Sequence, residues 1–578
     1  MRFMAIGSVA CSILFVLFSP AGATEIRVPC DSPTVQQAID LALPGDTIIV
    51  SPGTYRESID FRGKAITVRS INPEDQALVA ATVIMGKRNT PCVSFVNSEG
   101  PESRLSGFTL IHDPIEGFAA EPAIFCQSSP TITKNFMTAN PASAYGSGVC
   151  CHTGASPVIS DNTIALNTGH AIVGYGAGSP LIIANRIMSN ASSGIMLWSS
   201  EVRARIIGNV ISGNASDYGG AIHHHDGPSI IASNIMTDNT AHIAGAALLI
   251  NSDITVLENT IVDNKGKGGI FSEAAGLRCT IVGNTISGSS GGISGYEVHG
   301  VVARNVITDN DTWGGISLES SFPILFDNVI AGNSSAYGAG GIDLTDGTVA
   351  SITNCTVVGN VTQSDAGGLA CSDRSLVFLA NSVISGNSAP GAREVVVTDG
   401  SPAAEWNRSS VTIKHSIISG GQDAVAVEGY SSLDWLDGNI DADPLFVEPG
   451  RWDGDTFVLG DYHLLPGSPC IDAGTNDVDN PDTPEIETLP ATDIAGLRRV
   501  IDGNLDGTAT VDIGAYEYLP GDVNYDGRVN VLDLILVRNS LGHDPASSIE
   551  ARKADVNADG SVNVLDLLVV RGRLGGGN

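Results

Sequence analysis

The chain has 578 residues, of which 42% are hydrophobic and only 16% are charged, and 67 are glycines. Its 30 Lys and Arg residues against 63 Asp and Glu residues give a formal net charge of −33. So acidic a chain repels phosphate backbones, which excludes sequence-independent nucleic-acid binding as its function. A low charged fraction with abundant glycine is typical of an apolar chain with many tight turns.

The first 23 residues have the pattern of a secretory signal peptide. Arg2 precedes an apolar run over residues 6–18, and the small residues Ala21 and Ala23 frame a cleavage site. The run is too short for a membrane span, and no later segment is long enough. We therefore expect residues 1–23 to be removed and the mature chain to be a secreted monomer without a transmembrane segment.

Nine cysteines follow the predicted signal peptide, and an odd number cannot all pair within one chain. None has the C-x-x-C spacing of a metal site, and most lie in apolar runs. Small buried side chains are therefore favoured over disulfides. The nine are Cys30, Cys92, Cys126, Cys150, Cys151, Cys279, Cys355, Cys371 and Cys470.

Residues 130–390 repeat one phrase about every 25 residues: an apolar strand, Asn-x-Ile, a second Asn five residues on, then Gly-Gly-Ile. Each unit holds short runs of β-branched residues between Gly, Asn and Asp, which predicts strands and excludes helical repeats. The predicted fold class is all-β, a parallel β-helix solenoid whose corner Asn amides bond the equivalent amides one coil away. The first Asn of the phrase stands at 135, 162, 185, 209, 234, 259, 284, 305, 328, 354 and 381.

Residues 34–42 predict a short amphipathic helix with a capping box, placed to cover the open first coil. This helix, the phrase over residues 52–57 and the Asn repeats resemble right-handed pectin-lyase-like β-helices. The resemblance implies a right-handed parallel β-helix with an N-terminal cap over residues 24–430.

Residues 431–520 carry 19 acidic and 3 basic residues, a net of 3 − 19 = −16. The phrases Asp443-Pro-Leu-Phe446, Pro469-Cys470-Ile471-Asp472 and Asp512-Ile-Gly-Ala-Tyr516 resemble the terminal segment of secreted bacterial β-helix proteins. We therefore expect an acidic C-terminal cap here. A solvated acidic surface is the favoured interpretation of this acidity, and the binding of further calcium in the β-helix is the alternative.

An acidic loop of twelve residues starting at Asp522 recurs 33 residues later, starting at Asp555. Oxygen-bearing side chains at loop positions 1, 3, 5, 9 and 12, with Gly at position 6, form the ligand pattern of a calcium site. An apolar helix is expected after each loop, over residues 534–541 and 567–574. With position 7 contributing its carbonyl, the predicted calcium ligands are Asp522, Asn524, Asp526, Arg528, Asn530, Asp533, Asp555, Asn557, Asp559, Ser561, Asn563 and Asp566.

Asp at position 12, with no helix before the first loop, separates this segment from a paired EF-hand. Residues 521–578 resemble a type I dockerin over their whole length. The resemblance implies a small α-helical module that folds with two calcium ions and binds a cohesin domain of a scaffold or cell-surface protein. It further implies that loop positions 10 and 11 help to choose the cohesin, and these positions hold Val531, Leu532, Val564 and Leu565.

Side chains alternate along a strand, so the residues one and three places after the apolar residue of Gly-Gly-Ile are expected to point outward together. Aromatic rings can stack on sugar faces and carboxylates can bond hydroxyls, so we interpret this face as a polysaccharide groove. The first-place column includes His223, Leu248 and Asp343. The third-place column reads His152, Tyr175, Trp198, His225, Ile250, Glu273, Tyr296, Glu319, Thr345 and Ser372.

The substrate-binding candidates in this groove are His152, Tyr175, Trp198, Tyr296 and Asp343. The catalytic candidates are His223, His225, Glu273 and Glu319, as general acids or bases. A metal site on His223 and His225, completed by Glu273 or His152, is an alternative, and so is an ordinary outer surface.

Neither outward column contains Lys or Arg, and the paired Asp residues of polygalacturonases are missing, so no family's catalytic set carries over. The sequence predicts a secreted polysaccharide lyase or glycoside hydrolase held on a scaffold by its dockerin. The alternative is a non-catalytic polysaccharide-binding or adhesin-like surface protein.

Overall fold

The structure is a computed structural model that describes residues 23–575, except 88, 113–120, 142–145, 200–201, 274–277, 365, 392, 401–404, 482 and 484–486. The predicted signal peptide therefore lies outside the described residues, apart from its last residue. Across the described part of the chain, no helix has the length and apolar character that crossing a bilayer requires.

Most of the chain is wound into a parallel β-helix, which confirms the predicted fold class. Each coil gives one strand in turn to three sheets, here named I, II and III, and each strand pairs in parallel with its equivalents in the neighbouring coils. Sheets II and III have 15 strands each, and sheet I has 17.

The strands of sheet I are Glu25–Val28, Thr47–Val50, Thr67–Ser70, Arg104–Ser106, Thr131–Thr133, Val158–Ser160, Leu181–Ile183, Arg205–Ile207, Ser229–Ala232, Ile254–Leu257, Arg278–Val282, His299–Ala303, Phe322–Phe326, Val349–Thr353, Leu376–Ala380, Ser410–Lys414 and Ser432–Trp435. Those of sheet II are Gly53–Tyr55, Thr82–Gly86, Thr109–His112, Phe136–Thr138, Thr163–Ala165, Arg186–Met188, Val210–Ser212, Ile235–Thr237, Thr260–Val262, Thr285–Ser287, Val306–Thr308, Val329–Ala331, Thr356–Val358, Val383–Ser385 and Ile417–Ile418. Those of sheet III are Ile59–Asp60, Val93–Phe95, Ile124–Cys126, Val149–His152, Ile172–Tyr175, Ile195–Trp198, Ile222–His225, Leu248–Asn251, Ile270–Glu273, Ile293–Tyr296, Ile316–Glu319, Ile342–Thr345, Leu369–Cys371, Val395–Val397 and Val425–Val427.

Shorter elements sit on this frame. Two parallel pairs, Ala215–Tyr218 with Thr240–Ala244 and Ser334–Ser335 with Val361–Thr362, lie between sheets II and III. The helices and 3-10 turns are Val35–Leu41, Gln76–Ala81, Glu405–Asn407, Gly421–Ala424, Val531–Ser540, Pro545–Ser547, Ile549–Ala554 and Val564–Gly572.

Two columns of buried asparagines run along the corners of the β-helix. At the corner between sheets I and II, Asn209 Nδ2 donates to Asn234 Oδ1 at 2.9 Å and to the carbonyl of Ile182 at 2.9 Å. The second column, between sheets II and III, repeats this pattern, with Asn239 Nδ2 donating to Asn264 Oδ1 at 3.0 Å. The predicted amide-to-amide bonding between coils is confirmed.

Two asparagines assigned to the first column do not belong to it. The column continues through Cys355 and Ser382, because Asn328 Nδ2 lies 3.7 Å from Cys355 Sγ and the Cys355 N–H donates to Ser382 Oγ at 3.1 Å. Asn354 and Asn381 stand one residue earlier, with positive φ angles of 50° each. Their side chains bond residues 475 and 512 outside the coil, so the prediction for these two positions was wrong by one residue.

The helix Val35–Leu41 packs over the first coil with Val35, Ala38 and Ile39 buried. Thr34 accepts from the N–H of Gln37 as predicted, at 3.2 Å. Glu57 accepts from the N–H groups of Val35 and Gln36 at 2.9 Å each, so a carboxylate from outside the helix satisfies two more N–H groups of its first turn.

Residues 441–520, here called the lateral segment, pack against the flank of the β-helix. Phe446, Phe457 and Tyr462 contact aliphatic side chains on the outer face of sheet II, among them Val329 and Val358. The contacts of this acidic segment lie beside the last coils, whereas we expected a cap over the open end. It contains two antiparallel pairs, Phe446–Glu448 with Asp461–Leu464 and Arg451–Asp453 with Thr456–Val458.

A buried ion network joins the lateral segment to the β-helix. The Arg499 guanidinium donates to Asp327 Oδ1 at 2.6 Å and to Glu517 Oε2 at 3.1 Å, and all three side chains are at most 1% exposed. Burial raises the pKa of Glu517 above that of an exposed glutamate, although the guanidinium opposes the shift. Breaking such a pair would leave an uncompensated buried charge, so the network locks the segment in place.

The C-terminal helices Val531–Ser540 and Val564–Gly572 confirm the helix expected after each acidic loop, although both begin three residues earlier than predicted. Each starts with a complete capping box, Asn530 with Asp533 and Asn563 with Asp566. Eight cysteines are buried and Cys30 is exposed, and the structure shows all nine described cysteines as free thiols.

We predict that Asn239→Ala destabilises the β-helix by about 2–5 kcal/mol, because it leaves several buried polar groups of the neighbouring coils unpaired. Asn239→Ser is expected to cost less, since Ser289 occupies this column naturally and bonds through its hydroxyl. Urea unfolding followed by circular dichroism measures both changes. Equal stability of the alanine variant and the parent chain would show that the amide column does not hold the coils together.

Candidate functional site

The strand pairs place the third-place column, except Ile250, in one row on the outer face of sheet III. His152, Tyr175, Trp198 and His225 are successive partners in register. Tyr296 pairs with Glu273 on one side and with Glu319 on the other. Trp198 is 45% exposed and Tyr296 is 40% exposed, so two large rings of this row face solvent.

One coil of the predicted alignment is wrong by one residue. Leu248 pairs with Ile222 and Ile250 pairs with His224, so both point inward. The outward residues of this coil are Leu249 and Asn251. Ala247 and Leu248 are both apolar, so the sequence does not show which of them begins the strand, and Leu248 fills that place.

The first-place column points away from the core, but most of it is covered. Residues Cys150, Val173, Leu249, Phe271 and Ala370 are at most 4% exposed. The covering atoms come from the chain between sheets II and III, here called the corner segments; for instance, Ala244 packs on Leu249 and Phe271. The open groove is therefore about one column wide, with the corner segments as one wall, and His223, Ser317 and Asp343 of the first-place column are partly exposed.

Trp198 lies in an aromatic and imidazole cluster, here called the Trp198 cluster. The His225 ring stacks on the Trp198 ring, with centroids 4.6 Å apart and an angle of 11°. His223 approaches Trp198 edge-on at 6.3 Å and lies 6.0 Å from Tyr218 of a corner segment. His225 Nδ1 stands 3.0 Å from a carboxylate oxygen of Asp226.

The three consecutive histidines have different environments. His224 points into the core, where Ser229 and Ser252 hydroxyls lie 2.8 Å from its two ring nitrogens. Burial and the neighbouring imidazoles lower the pKa of His223 to about 4. His223 is therefore neutral at neutral pH and is not suited to act there as a general acid. It can still act as a weak base or form hydrogen bonds.

A second cluster, here called the Tyr296 cluster, lies further along the same face. Phe271 meets the Tyr296 ring edge-on at 5.8 Å, and Lys267, Trp313 and Glu319 complete a small pocket around it. Lys267 Nζ stands 5.9 Å from the Phe271 ring centre. Burial and the nearby Asp346 carboxylate raise the pKa of Glu319, so Glu319 keeps its proton to a higher pH than an exposed glutamate.

Lys267, Trp313 and Tyr218 were not predicted from the sequence. All three belong to corner segments. Lys267 brings a cation, which the outward columns lack, and Trp313 and Tyr218 add two further rings. The signal that could have found them is the variable length of the chain between the second Asn and Gly-Gly.

The alternative of a histidine metal centre has no support in the geometry. Among the described residues, no group of three or more His, Cys, Asp or Glu side chains is positioned to hold a metal ion. In the acidic loops at Asp522 and Asp555, by contrast, Asn and backbone oxygens complete the ligand set.

The two acidic loops have the same internal hydrogen bonds. In the first, Asp522 Oδ2 accepts from the Gly527 N–H at 2.7 Å, and Asp533 accepts from the N–H of Asn524 at 3.3 Å and from that of Asn530 at 2.8 Å. Burial and the adjacent carboxylates raise the pKa of Asp522 to about 6. Hard oxygen ligands that crowd negative charge at one point suit a calcium ion, so the residues present fit this metal.

The four predicted cohesin-contacting side chains are exposed. Val531 and Val564 are 61% exposed each, and Leu532 and Leu565 are 53% and 50% exposed. The two copies of the loop therefore present equivalent apolar surfaces at the starts of their helices.

Three family models match parts of the chain. Residues 520–575 match the "Dockerin type I domain", residues 241–392 match the "Right handed beta helix region", and residues 40–247 match the "Periplasmic copper-binding protein (NosD)" model. No curated protein matches the sequence.

Several solved structures show a distant likeness. The complex structure of XylC with xylose is 13% identical over 84% of this chain and 95% of that chain, with a TM-score of 0.36. Pectate lyase Pel9A is 12% identical over 86% and 97%, with a TM-score of 0.23. The catalytic unit of a GH87 alpha-1,3-glucanase from Streptomyces thermodiastaticus is 13% identical over 73% and 70%, with a TM-score of 0.24. At these scores the likenesses say nothing about what this chain binds.

The chain is a right-handed parallel β-helix followed by a C-terminal type I dockerin, as the sequence predicted. The dockerin implies calcium as cofactor and a cohesin domain as partner, in the manner of a component of an extracellular cellulosome-type complex.

We predict that Asp522→Ala combined with Asp555→Ala abolishes calcium-dependent folding of the dockerin and leaves the β-helix intact. Limited proteolysis with calcium should cleave the variant within residues 521–578 and release a resistant β-helix fragment, whereas the parent chain stays whole. Asp453→Ala, an exposed carboxylate of the lateral segment, serves as the control. Calcium protection that survives in the double variant would contradict the assigned ligands.

Proposed function

We propose that this protein is a secreted, carbohydrate-active β-helix that a calcium-loaded dockerin holds on a cohesin-bearing scaffold, with a polysaccharide bound along the outer face of sheet III. The observation that carries the proposal is the row of exposed rings and polar side chains on one rigid face. Trp198 and Tyr296 are four coils apart, roughly 19 Å at about 4.8 Å per coil.

Both clusters suit a chain of sugar rings. The Trp198 cluster offers a flat ring held by the stacked His225, and the Tyr296 cluster offers a ring held edge-on by Phe271. Rings fixed in this way lose little conformational entropy on binding. His152, Tyr175 and Asp343 extend the polar lining of the same face and remain substrate-binding candidates.

Glu273 and Glu319 are the catalytic candidates that the geometry favours most. They flank Tyr296 on opposite sides, so their strands lie two coils apart, roughly 10 Å. That spacing approaches the separation of about 6.5–9.5 Å between the carboxyl groups of inverting glycosidases. With its raised pKa, Glu319 is suited to protonate the leaving oxygen, and Glu273 to activate the attacking water. His223 and His225 are then groups that position a sugar ring.

Lys267 favours a second candidate reaction, the elimination of a uronic-acid polymer. Lysine is the type of side chain that can remove a proton beside a sugar carboxylate, and Lys267 reaches the same pocket as Tyr296. The third alternative is a binding or adhesin-like surface without catalysis.

One experiment separates these alternatives. The full chain with calcium is incubated with neutral and uronic-acid polysaccharides, while new reducing ends and unsaturated products are both followed. New reducing ends that Glu319→Gln abolishes support hydrolysis, and unsaturated products that Lys267→Met abolishes support elimination. Glu258→Gln, on a corner away from sheet III, is the control. Retention on a polysaccharide column without any product supports the binding surface.

We predict that Trp198→Ala weakens polysaccharide binding roughly fivefold, because a stacked ring contributes on the order of 1 kcal/mol. The matched control is Phe322→Ala, which removes a 49% exposed ring from the outer face of sheet I. Affinity gel electrophoresis on the retaining polysaccharide measures both. Equal weakening by the two changes would place the binding surface elsewhere.

A further inference from the structure

The lateral segment contains a third copy of the acidic loop motif. Asp502-Gly-Asn504-Leu-Asp506-Gly507 repeats the D-x-N-x-D-G spacing of the dockerin loops, 20 residues before the first of them. The motif precedes no helix, and residue 513, at the twelfth place, is an isoleucine. The sequence pattern alone therefore ends short of a complete calcium site.

The backbone of this loop is folded like that of the two dockerin loops. The fourth residue has a positive φ in all three, 65° for Leu505 against 57° for Tyr525 and 52° for Ala558. The sixth residue is glycine at 94°, 80° and 85°. Such angles strain ordinary residues, so the shared conformation is a specific one.

The internal hydrogen bonds also coincide. The Asp506 N–H donates to Asn504 Oδ1 at 2.9 Å, the Gly507 N–H to Asp502 Oδ2 at 3.2 Å, and the Thr508 N–H to Asp506 Oδ1 at 2.8 Å. In the second dockerin loop the corresponding distances are 3.1, 3.0 and 3.0 Å.

A residue distant in sequence takes the twelfth place. Asp472 Oδ2 accepts from the Asn504 N–H at 2.7 Å, and Asp472 Oδ1 accepts from the Thr510 N–H at 3.1 Å. Asn504 and Thr510 are the third and ninth residues of the loop. In the second dockerin loop, Asp566 accepts hydrogen bonds from the N–H groups at the same two positions, at 3.2 and 2.8 Å. A separate part of the lateral segment therefore supplies the carboxylate that the local sequence lacks.

One oxygen of this loop points to a missing ligand. Asp502 Oδ1 is buried and has no hydrogen-bond partner among the described residues. In the dockerin loops the equivalent oxygens of Asp522 and Asp555 accept from a backbone N–H at 3.1 and 3.2 Å. A buried carboxylate oxygen without a donor is costly, and a cation offsets that cost.

We propose that the lateral segment binds a third calcium ion, held by Asp502, Asn504, Asp506 and Asp472 with the carbonyl of Thr508. All are hard oxygen ligands, which calcium prefers. The site lies outside the dockerin and is independent of any polysaccharide.

The position of this site gives the ion a structural role. Residues 472 and 502–510 come from separate parts of the lateral segment, and the ion would tie them together. The Arg573 guanidinium at the end of the dockerin donates to the Asp502 carbonyl at 3.4 Å. The third ion therefore strengthens the surface on which the dockerin rests.

The test is a count of bound calcium on the full chain. Extracellular calcium modules bind with dissociation constants of about 10⁻⁴–10⁻³ M, so equilibrium dialysis is run at about 5 mM calcium. We expect three ions per parent chain and the loss of one ion in Asp506→Asn. This substitution removes the negative charge but retains a side-chain oxygen that can accept from the Thr508 N–H. Asp472→Asn is expected to lose the same ion.

Asp453→Asn, an exposed carboxylate of the same segment, is the control and should lose none. Thermal unfolding in EDTA checks that the variants fold, since their midpoints should equal that of the parent chain. Added calcium should then raise the midpoint more in the parent chain than in Asp506→Asn. An unchanged ion count and an unchanged calcium response in both loop variants would overturn the proposal.

Discussion

The amide columns at the two corners of each coil are the constraint on which the rest of the structure depends. A buried Asn such as Asn239 accepts a hydrogen bond from one neighbouring coil and donates one to the other. If one coil slipped along its neighbours, these amides would lose their partners, at a cost of about 1–3 kcal/mol for each unpaired group. With both corners fixed, the strands between them stay in register. Equivalent side chains then recur every 4.8 Å or so, which makes one face of sheet III a continuous row, the surface that we propose binds a polysaccharide.

The same constraint explains which parts of the site could be predicted from sequence. Trp198 and Tyr296 lie at a repeating place, so alternation along the strand was enough to put them on one face. Lys267 and Trp313 lie in corner segments. The repeat fixes where each segment begins and ends but not how many residues it contains, so its length varies from coil to coil. Turns such as the one at Gly268, with a φ of 79°, place these side chains, and no periodicity reports such turns. The chemistry of the groove therefore depends most on the residues that the repeat does not contain.

The errors in register have a common physical cause. A slip of one residue moves a side chain to the opposite face of a strand, and the sequence signals it only when the two candidate residues differ in chemistry. Ala247 and Leu248 are both apolar, and only pairing with Ile222 shows which of them begins the strand. Asn354 was misplaced in the same way, because Cys355 fills the buried place in the amide column and frees the asparagine to bond the lateral segment.

The lateral segment connects the two halves of the molecule, and its composition makes this a physical problem. It covers aliphatic side chains of sheet II, yet its acidic residues repel one another, and a single buried Arg499 offsets part of that charge. The dockerin rests directly on it, since the Tyr525 hydroxyl donates to the Leu464 carbonyl at 3.0 Å. How firmly this segment holds its shape therefore sets the orientation of sheet III relative to the dockerin. A divalent cation bound by this acidic segment would compensate its negative charge and cross-link distant parts of its chain. A further arginine has a single positive charge and a long side chain, so it would do both less compactly.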